Sequence, residues 1–219
     1  MTPHNLPRFD HNPLRYTALG NSGLFVSELC LGTMTFGGDE DIWGLIGQLQ
    51  QEQADELVKI ALEAGINFID TANIYGFGAS ERIVGQSLKN LGVRREDVVL
   101  ATKVFATMSD QPNDRGLSAR HIIQACEDSL QRLQTDWIDL YYLHFPDDTP
   151  LEETLRAMED LCRSGKVRYI GCSNYRAWEI VGLMNLAQQN KWQPISAVQP
   201  LYNIANRDIE VELLPMAEH

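Results

Sequence analysis

A β/α barrel is the fold class this sequence predicts, and three observations predict it. Apolar runs of strand length alternate six times with amphipathic helical stretches, the pattern of a parallel sheet with crossover helices. The runs are nearly continuous rather than alternating, as in strands covered on both faces. Each run also brings a polar or small residue to its carboxyl end: Gly32, Asp70, Lys103, His144, Ser173 and Gln199. In a barrel all these ends meet at one mouth. In a doubly wound open sheet only the strands at the switch point would share a site, so the barrel is favoured.

The polar, Pro-containing residues 1–13 read as a flexible arm, and 14–219 as one barrel domain. Arg15–Ala18 and Leu24–Val26 flank Gly20-Asn21-Ser22-Gly23 and suit a β-hairpin. Leu29-Cys30-Leu31 ends at Gly32. A helix over Gln53–Ala64 follows, with Leu57, Ile60, Ala61 and Ala64 on one face and Gly65 past its end. Phe68-Ile69 ends at Asp70, and a Gly-rich loop leads into a helix that Ser80 or a neighbour is placed to cap. That helix carries Ile83, Val84, Leu88 and Leu91, and Gly92 stops it. Val98–Ala101 runs on to Lys103, and the helix after Ser118 sets Ile122, Cys126, Ser129 and Leu133 on one face. Trp137–Leu143 ends at His144, and Thr149-Pro150-Leu151-Glu152 reads as a capping box with Pro at the first helical position. Val167–Gly171 runs to Ser173-Asn174, ahead of a helix with Ile180, Leu183 and Ala187. Ala197-Val198 ends at Gln199, and a last helix is expected over Ile209–His219.

The 219 residues are 44% hydrophobic, enough for a sizeable core, and carry a formal net charge of -12. Such a field repels phosphate backbones and anionic membranes, so neither nucleic acid nor membrane is an expected partner. No run approaches the roughly 18 apolar residues of a membrane span, and the start lacks a signal peptide's apolar core. A cytoplasmic protein is expected. Cys30, Cys126, Cys162 and Cys172 are scattered and read as buried reduced thiols. Asp39-Glu40-Asp41 reads as a solvated loop, with no second cluster to complete a metal site, and no metal is expected. His121 is expected at the surface, and Trp137 and Trp178 in packing roles. Gly76-Phe77-Gly78 continues to Glu81, so it is no dinucleotide fingerprint, and no Walker loop or His-Glu-x-x-His is present.

On the barrel reading, Asp70, Lys103 and His144 end three successive strands, and Tyr75 stands on the loop after the first. These side chains make a coherent proton-transfer device. A phenol, ordinarily near 10, is a poor acid at neutral pH, but a lysine cation in reach stabilises its phenolate. A carboxylate then holds the cation, and a histidine orients a substrate oxygen or relays a proton. Taken singly, a strand-end Asp starts turns and a loop Tyr packs. Together the four point to chemistry.

The chain resembles the aldo-keto reductase family from the hairpin onward. The resemblance is carried by Leu31-Gly32-Thr33-Met34, Phe68-Ile69-Asp70-Thr71-Ala72, Tyr75-Gly76, Ser80-Glu81, Thr102-Lys103, Leu143-His144, Gly165-Lys166, Ile170-Gly171, Ser173-Asn174 and Gln199. It implies a TIM-type (β/α)8 barrel that binds NADP(H) and reduces aldehydes and ketones, with a small-molecule carbonyl compound as substrate. It further implies Asp70, Tyr75, Lys103 and His144 as a catalytic tetrad with Tyr75 the general acid. Gly32, Thr33, Met34, Asp70, Ser173, Asn174 and Gln199 would border the cofactor, the last three reaching the nicotinamide carboxamide. Phe36, Trp43, Phe105 and Phe145, with Tyr75 and His144, would line the substrate side. Packing is the alternative for these aromatics, since ligand pockets and cores are both apolar. Six of the family's eight βα units are expected here, behind an N-terminal hairpin, and the 219 residues alone are expected to be inactive. The potassium-channel β subunits, which resemble these reductases, supply a second expectation: a cofactor-sensing or interaction module.

Overall fold

The structure, a computed structural model, describes residues 14–38 and 41–219. The arm expected over 1–13 and the acidic pair Asp39-Glu40 lie outside the described residues. Two strands form the hairpin, β1 (Tyr16–Ala18) antiparallel to β2 (Phe25–Ser27), with Thr17 opposite Val26. Six more form one sheet in chain order: β3 (Leu31–Gly32), β4 (Phe68–Asp70), β5 (Val99–Val104), β6 (Ile138–Leu143), β7 (Val167–Ser173) and β8 (Ile195–Gln199). β4 runs parallel to β3 and β5, and β8 parallel to β7. The helices between them are α1 (Asp41–Ile46), α2 (Gln51–Glu63), α3 (Ala79–Asn90), α4 (Ala119–Leu133), α5 (Leu151–Arg163) and α6 (Ala177–Asn190), with α7 (Leu213–Glu218) after β8. Sequence neighbours that are also sheet neighbours, joined through helices, are the βα units of a (β/α)8-type barrel, six of them behind a hairpin.

The chain divides into two compact units, the first running to Thr102 and including Asp128–Asp139, the second holding Lys103–Glu127 and Leu140–His219. In the first, α2 packs on α3, but of the expected face only Ala61 is buried. Ala54, Val58 and Ala61 are buried, whereas Leu57 is 38% and Ile60 54% exposed. The buried stripe is turned by one residue because two alanines let the helix approach closely, where leucine and isoleucine would hold it off. Gln51 Nε2 then reaches across to Ser87 Oγ at 3.0 Å. Cys30 is exposed, since β3 begins only at Leu31 and leaves it ahead of the strand. Of the acidic run only Asp41 is described, and it begins a short helix, α1. Trp137 does pack: the Arg95 guanidinium lies 4.5 Å from its ring and is anchored to Asp139 Oδ2 at 2.6 Å.

In the second unit the face of α6 is the expected one, with Ala177, Ile180, Leu183 and Ala187 buried. On α4, which the two units share, Ile122, Cys126, Ser129 and Leu133 are all buried. Gly171 in β7 is required by space, because a Cβ there would meet the Tyr142 ring. Four expectations fail here. The Thr149 capping box does not form: Pro150 is the N-cap, and the Thr149 amide donates to Asp147 Oδ1 at 2.9 Å. Asp147 Oδ2 also accepts from the Leu117 amide, so one aspartate organises both loops. His121 is 2% exposed, not at the surface, with Asp114 Oδ1 of the preceding loop 3.6 Å from its Nδ1. Trp178 is 60% exposed on the first turn of α6. The last helix splits into a turn of 3-10 helix at Asp208–Glu210 and α7, because Pro215, lacking an amide proton, belongs in the first turn of a helix. Of the cysteines, Cys126 and Cys172 are buried and Cys162 is half-buried. Burial pushes the Cys172 thiol up to about 12.

Candidate active site

In the first unit, β4 delivers Asp70, 7% exposed, and its carbonyl accepts from the Thr33 amide at 2.9 Å. The loop after it is tight. Tyr75 N donates to Ala72 O at 3.2 Å, Phe77 N to Ile74 O at 2.9 Å, and Ala79 N to Gly76 O at 3.0 Å. Tyr75 is half-buried, with the Trp43 ring centroid 5.8 Å from its own at a tilt of 51°. Gly32 is exposed and a Cβ there would meet open space, while Met34 is 45% exposed. Thr33 is fully buried, with both backbone groups engaged by Asp70 and Ser80. Phe36, 1% exposed, lies in the interior.

Ser80 does not cap α3. Gly78, at φ 84, is the N-cap and no side chain caps it. The Ser80 hydroxyl is buried and donates to Thr33 O at 2.7 Å, within 2.9 Å of both Thr33 Oγ1 and Thr71 Oγ1. Beside it, Glu81 is fully buried between Thr102 and Arg132. Sequence reasoning missed this cluster, though a signal existed: Glu81 shares the i, i+3, i+7 stripe of Val84 and Leu88.

The second unit holds Lys103, fully buried in β5, with Nζ 6.0 Å from the Tyr142 ring centroid. His144 follows β6 at 8% exposure; its amide donates to Val104 O at 3.0 Å, and its carbonyl accepts from Asn174 Nδ2 at 3.0 Å. Burial, and secondly the Lys103 cation, pull the His144 imidazole down to about 4, so it is neutral at physiological pH. Its ring lies 4.9 Å from that of Phe145, which is 42% exposed and 5.6 Å from Phe105. Ser173 Oγ donates to Gln199 O at 2.7 Å and accepts from Asn174 Nδ2 at 2.9 Å. Asn174 itself sits in the left-handed region at φ 61, which an asparagine tolerates. The structure thus brings together Asp70, Thr33 and the Tyr75 loop in one unit, and Lys103, His144, Ser173, Asn174 and Gln199 in the other.

A nicotinamide carboxamide offers one amide donor and one carbonyl acceptor. Asn174 spends its Nδ2 on His144 and Ser173, which leaves Oδ1 as an acceptor, and the half-buried Gln199 side chain carries both functions. The donor set fits such a group.

The profile of the Aldo/keto reductase family matches residues 28–219, and the chain belongs to that family. It is similar to the uncharacterized oxidoreductase YrpG of Bacillus subtilis strain 168, 45% identical over 213 residues, 93% of this chain and 63% of that protein. It is also similar to the versiconal hemiacetal acetate reductase of Aspergillus parasiticus, 39% identical over 92% of this chain and 63% of the relative. A probable voltage-gated potassium channel subunit beta of Oryza sativa subsp. japonica is 39% identical over 93% of this chain and 60% of its own length. The chain therefore spans less than two thirds of these relatives.

Proposed function

We propose that the protein is a reductase that uses NADP(H) to convert aldehydes and ketones to alcohols, acting in the cytoplasm. No helix among the described residues is long and apolar enough to cross a membrane. The observation that best supports the reading is His144: an imidazole buried beside Lys103 and neutral at working pH is a hydrogen-bond donor suited to a carbonyl oxygen. In this reading Tyr75 donates its phenolic proton to the carbonyl oxygen as negative charge develops there. Lys103 supplies the cation that favours the resulting phenolate, and Asp70 the counter-charge. His144 orients the oxygen. Ser173, Asn174 and Gln199 would hold the nicotinamide carboxamide, with Gly32, Thr33 and Met34 bordering the cofactor. Trp43, Phe105 and Phe145 would face the substrate, with Phe36 supporting from the interior. Bound NADPH supplies the hydride.

The relatives named as channel β subunits favour a second reading, a cofactor-sensing module with little turnover. Following NADPH absorbance with a simple aldehyde separates the two. Tyr75→Phe is expected to lower kcat by about 10²–10⁴-fold, the range of a lost general acid, and to leave cofactor affinity unchanged. Near-normal turnover in that variant would remove Tyr75 from the role, and an inactive parent that binds NADPH would favour the sensing module.

A further inference from the structure

We infer that Glu81 is a positioning residue that sets the height and angle of the Tyr75 loop. The inference rests on the reading of Tyr75 as general acid. The loop from Thr71 to Ser80 starts and finishes on one hydroxyl cluster. Thr71 Oγ1 and Ser80 Oγ are 2.9 Å apart, Ser80 Oγ donates to Thr33 O, and Ser80 N donates to Tyr75 O at 3.2 Å. With its internal turns hydrogen-bonded, the loop has few ways to move except with the first turn of α3. Where that turn sits is decided one residue on. Both oxygens of the Glu81 carboxylate are held, Oε1 by the Thr102 hydroxyl at 2.5 Å and Oε2 by Arg132 Nε at 2.6 Å. Thr102 belongs to β5, so the first bond ties α3 to the sheet. Arg132 lies near the end of α4 and is itself held by Ser129 Oγ at 3.1 Å, so the second ties α3 to its helical neighbour.

The local sequence is shaped for this approach. A Cβ at Gly85 would come within 2.5 Å of Leu133 O, and one at Gly78 within 2.5 Å of Arg132 Cδ. Glycine at both positions lets α3 close onto the end of α4. The Glu81 side of this ion pair is fully buried and Arg132 largely so, and a buried ion pair is a poor means of gaining stability, because apolar residues of the same volume usually do as well. Two charge-assisted bonds in fixed directions are a good means of setting position. Tyr75 lies six residues before Glu81 with a hydrogen-bonded loop between them, so a shift of the first turn is passed on to the phenol.

The test uses the 219-residue chain with 3-fluorotyrosine at position 75, read by fluorine NMR, together with steady-state kinetics. Glu81→Gln keeps the shape but replaces one acceptor by a donor facing Arg132 or Thr102. It is expected to shift or broaden the position-75 resonance. It should also lower kcat by up to about 100-fold, the effect of an ångström-scale misplacement, with KM for NADPH unchanged. Thr102→Val, which removes one bond and keeps the volume, is expected to do the same more weakly. If Glu81→Gln does not fold, Thr102→Val decides alone. A folded variant in which both resonance and kcat match the parent overturns the inference. If the parent shows no turnover, as is expected of these 219 residues alone, the resonance by itself decides whether Glu81 positions Tyr75, and the reductase reading stands or falls separately on aldehyde turnover by a version with all eight βα units.

Discussion

The two compact units hold their candidate catalytic side chains by different means. In the first, side chains do the holding: Ser80, Thr33, Thr71, Glu81, Thr102 and Arg132 form a buried polar cluster around the loop of Tyr75. In the second, the main chain does more of it. His144 is fixed by its amide on Val104 and by its carbonyl under Asn174, with the Phe145 ring beside it. Backbone bonds survive almost any substitution, whereas each side-chain bond can be deleted separately. The first unit should therefore be the more fragile to point mutation, and the second the more sensitive to pH.

The largest expected effect breaks the polar cluster. Arg132→Met leaves the Glu81 carboxylate buried without its cation, and such losses cost about 3–5 kcal/mol. Urea unfolding would read it, and a loss below about 1 kcal/mol would mean that the pair behaves like a surface contact.

Next comes pH. His144 has its folded value at about 4 against an ordinary 6.5, so its contribution to stability is fully present above 6.5 and is lost as pH falls to about 4. The displacement is worth at most about 3 kcal/mol. In His144→Gln the part of the pH slope between 6.5 and 4 that belongs to this residue should vanish. An identical slope in parent and variant would assign it to other groups.

A smaller loss is expected of Asn174→Ala, which removes the bonds to His144 O and Ser173 Oγ and puts alanine at φ 61. About 1–3 kcal/mol is expected for the buried acceptor left unpaired. Loss of cooperative unfolding would show instead that the main chain of this unit depends on the side chain. The smallest effect contrasts two adjacent residues of α2. Leu57→Ser at the exposed face should stay within about 0.5 kcal/mol, whereas Val58→Ala inside should cost about 1 kcal/mol or more. Thermal melts of the two variants compare them directly, and equal losses would contradict the stripe through Ala54, Val58 and Ala61.

Much of this was legible in the residues. All six strand ends lie where apolar runs stop, within one residue of Gly32, Asp70, Lys103, His144, Ser173 and Gln199, because continuous burial on both faces leaves an uninterrupted apolar signal. The faces of α4 and α6 were legible from their periodicity: Ile122 and Leu133 on α4, and Ile180 and Leu183 on α6, are buried at the expected spacing. On α2 the signal misled, since small alanines won the interface by allowing close approach, and no count of hydrophobicity favours alanine over leucine. His121 was misplaced because the loop ahead of α4 puts Asp114 against it, a contact between residues seven apart that periodicity cannot register.

What the sequence determined by itself is therefore the alternation of strands and helices, the family, and which residues stand at the strand ends. All of these follow from local patterns of apolar and polar residues along the chain. The tertiary structure alone decided what those residues touch. Ser80 looked like a helix cap and is instead the centre of a hydroxyl cluster; Glu81 beside it is buried between Thr102 and Arg132, residues 21 and 51 positions away. A carboxylate's partners depend on which distant segments the fold brings within about 3 Å, and directional bonds of that range leave no periodic trace in the sequence.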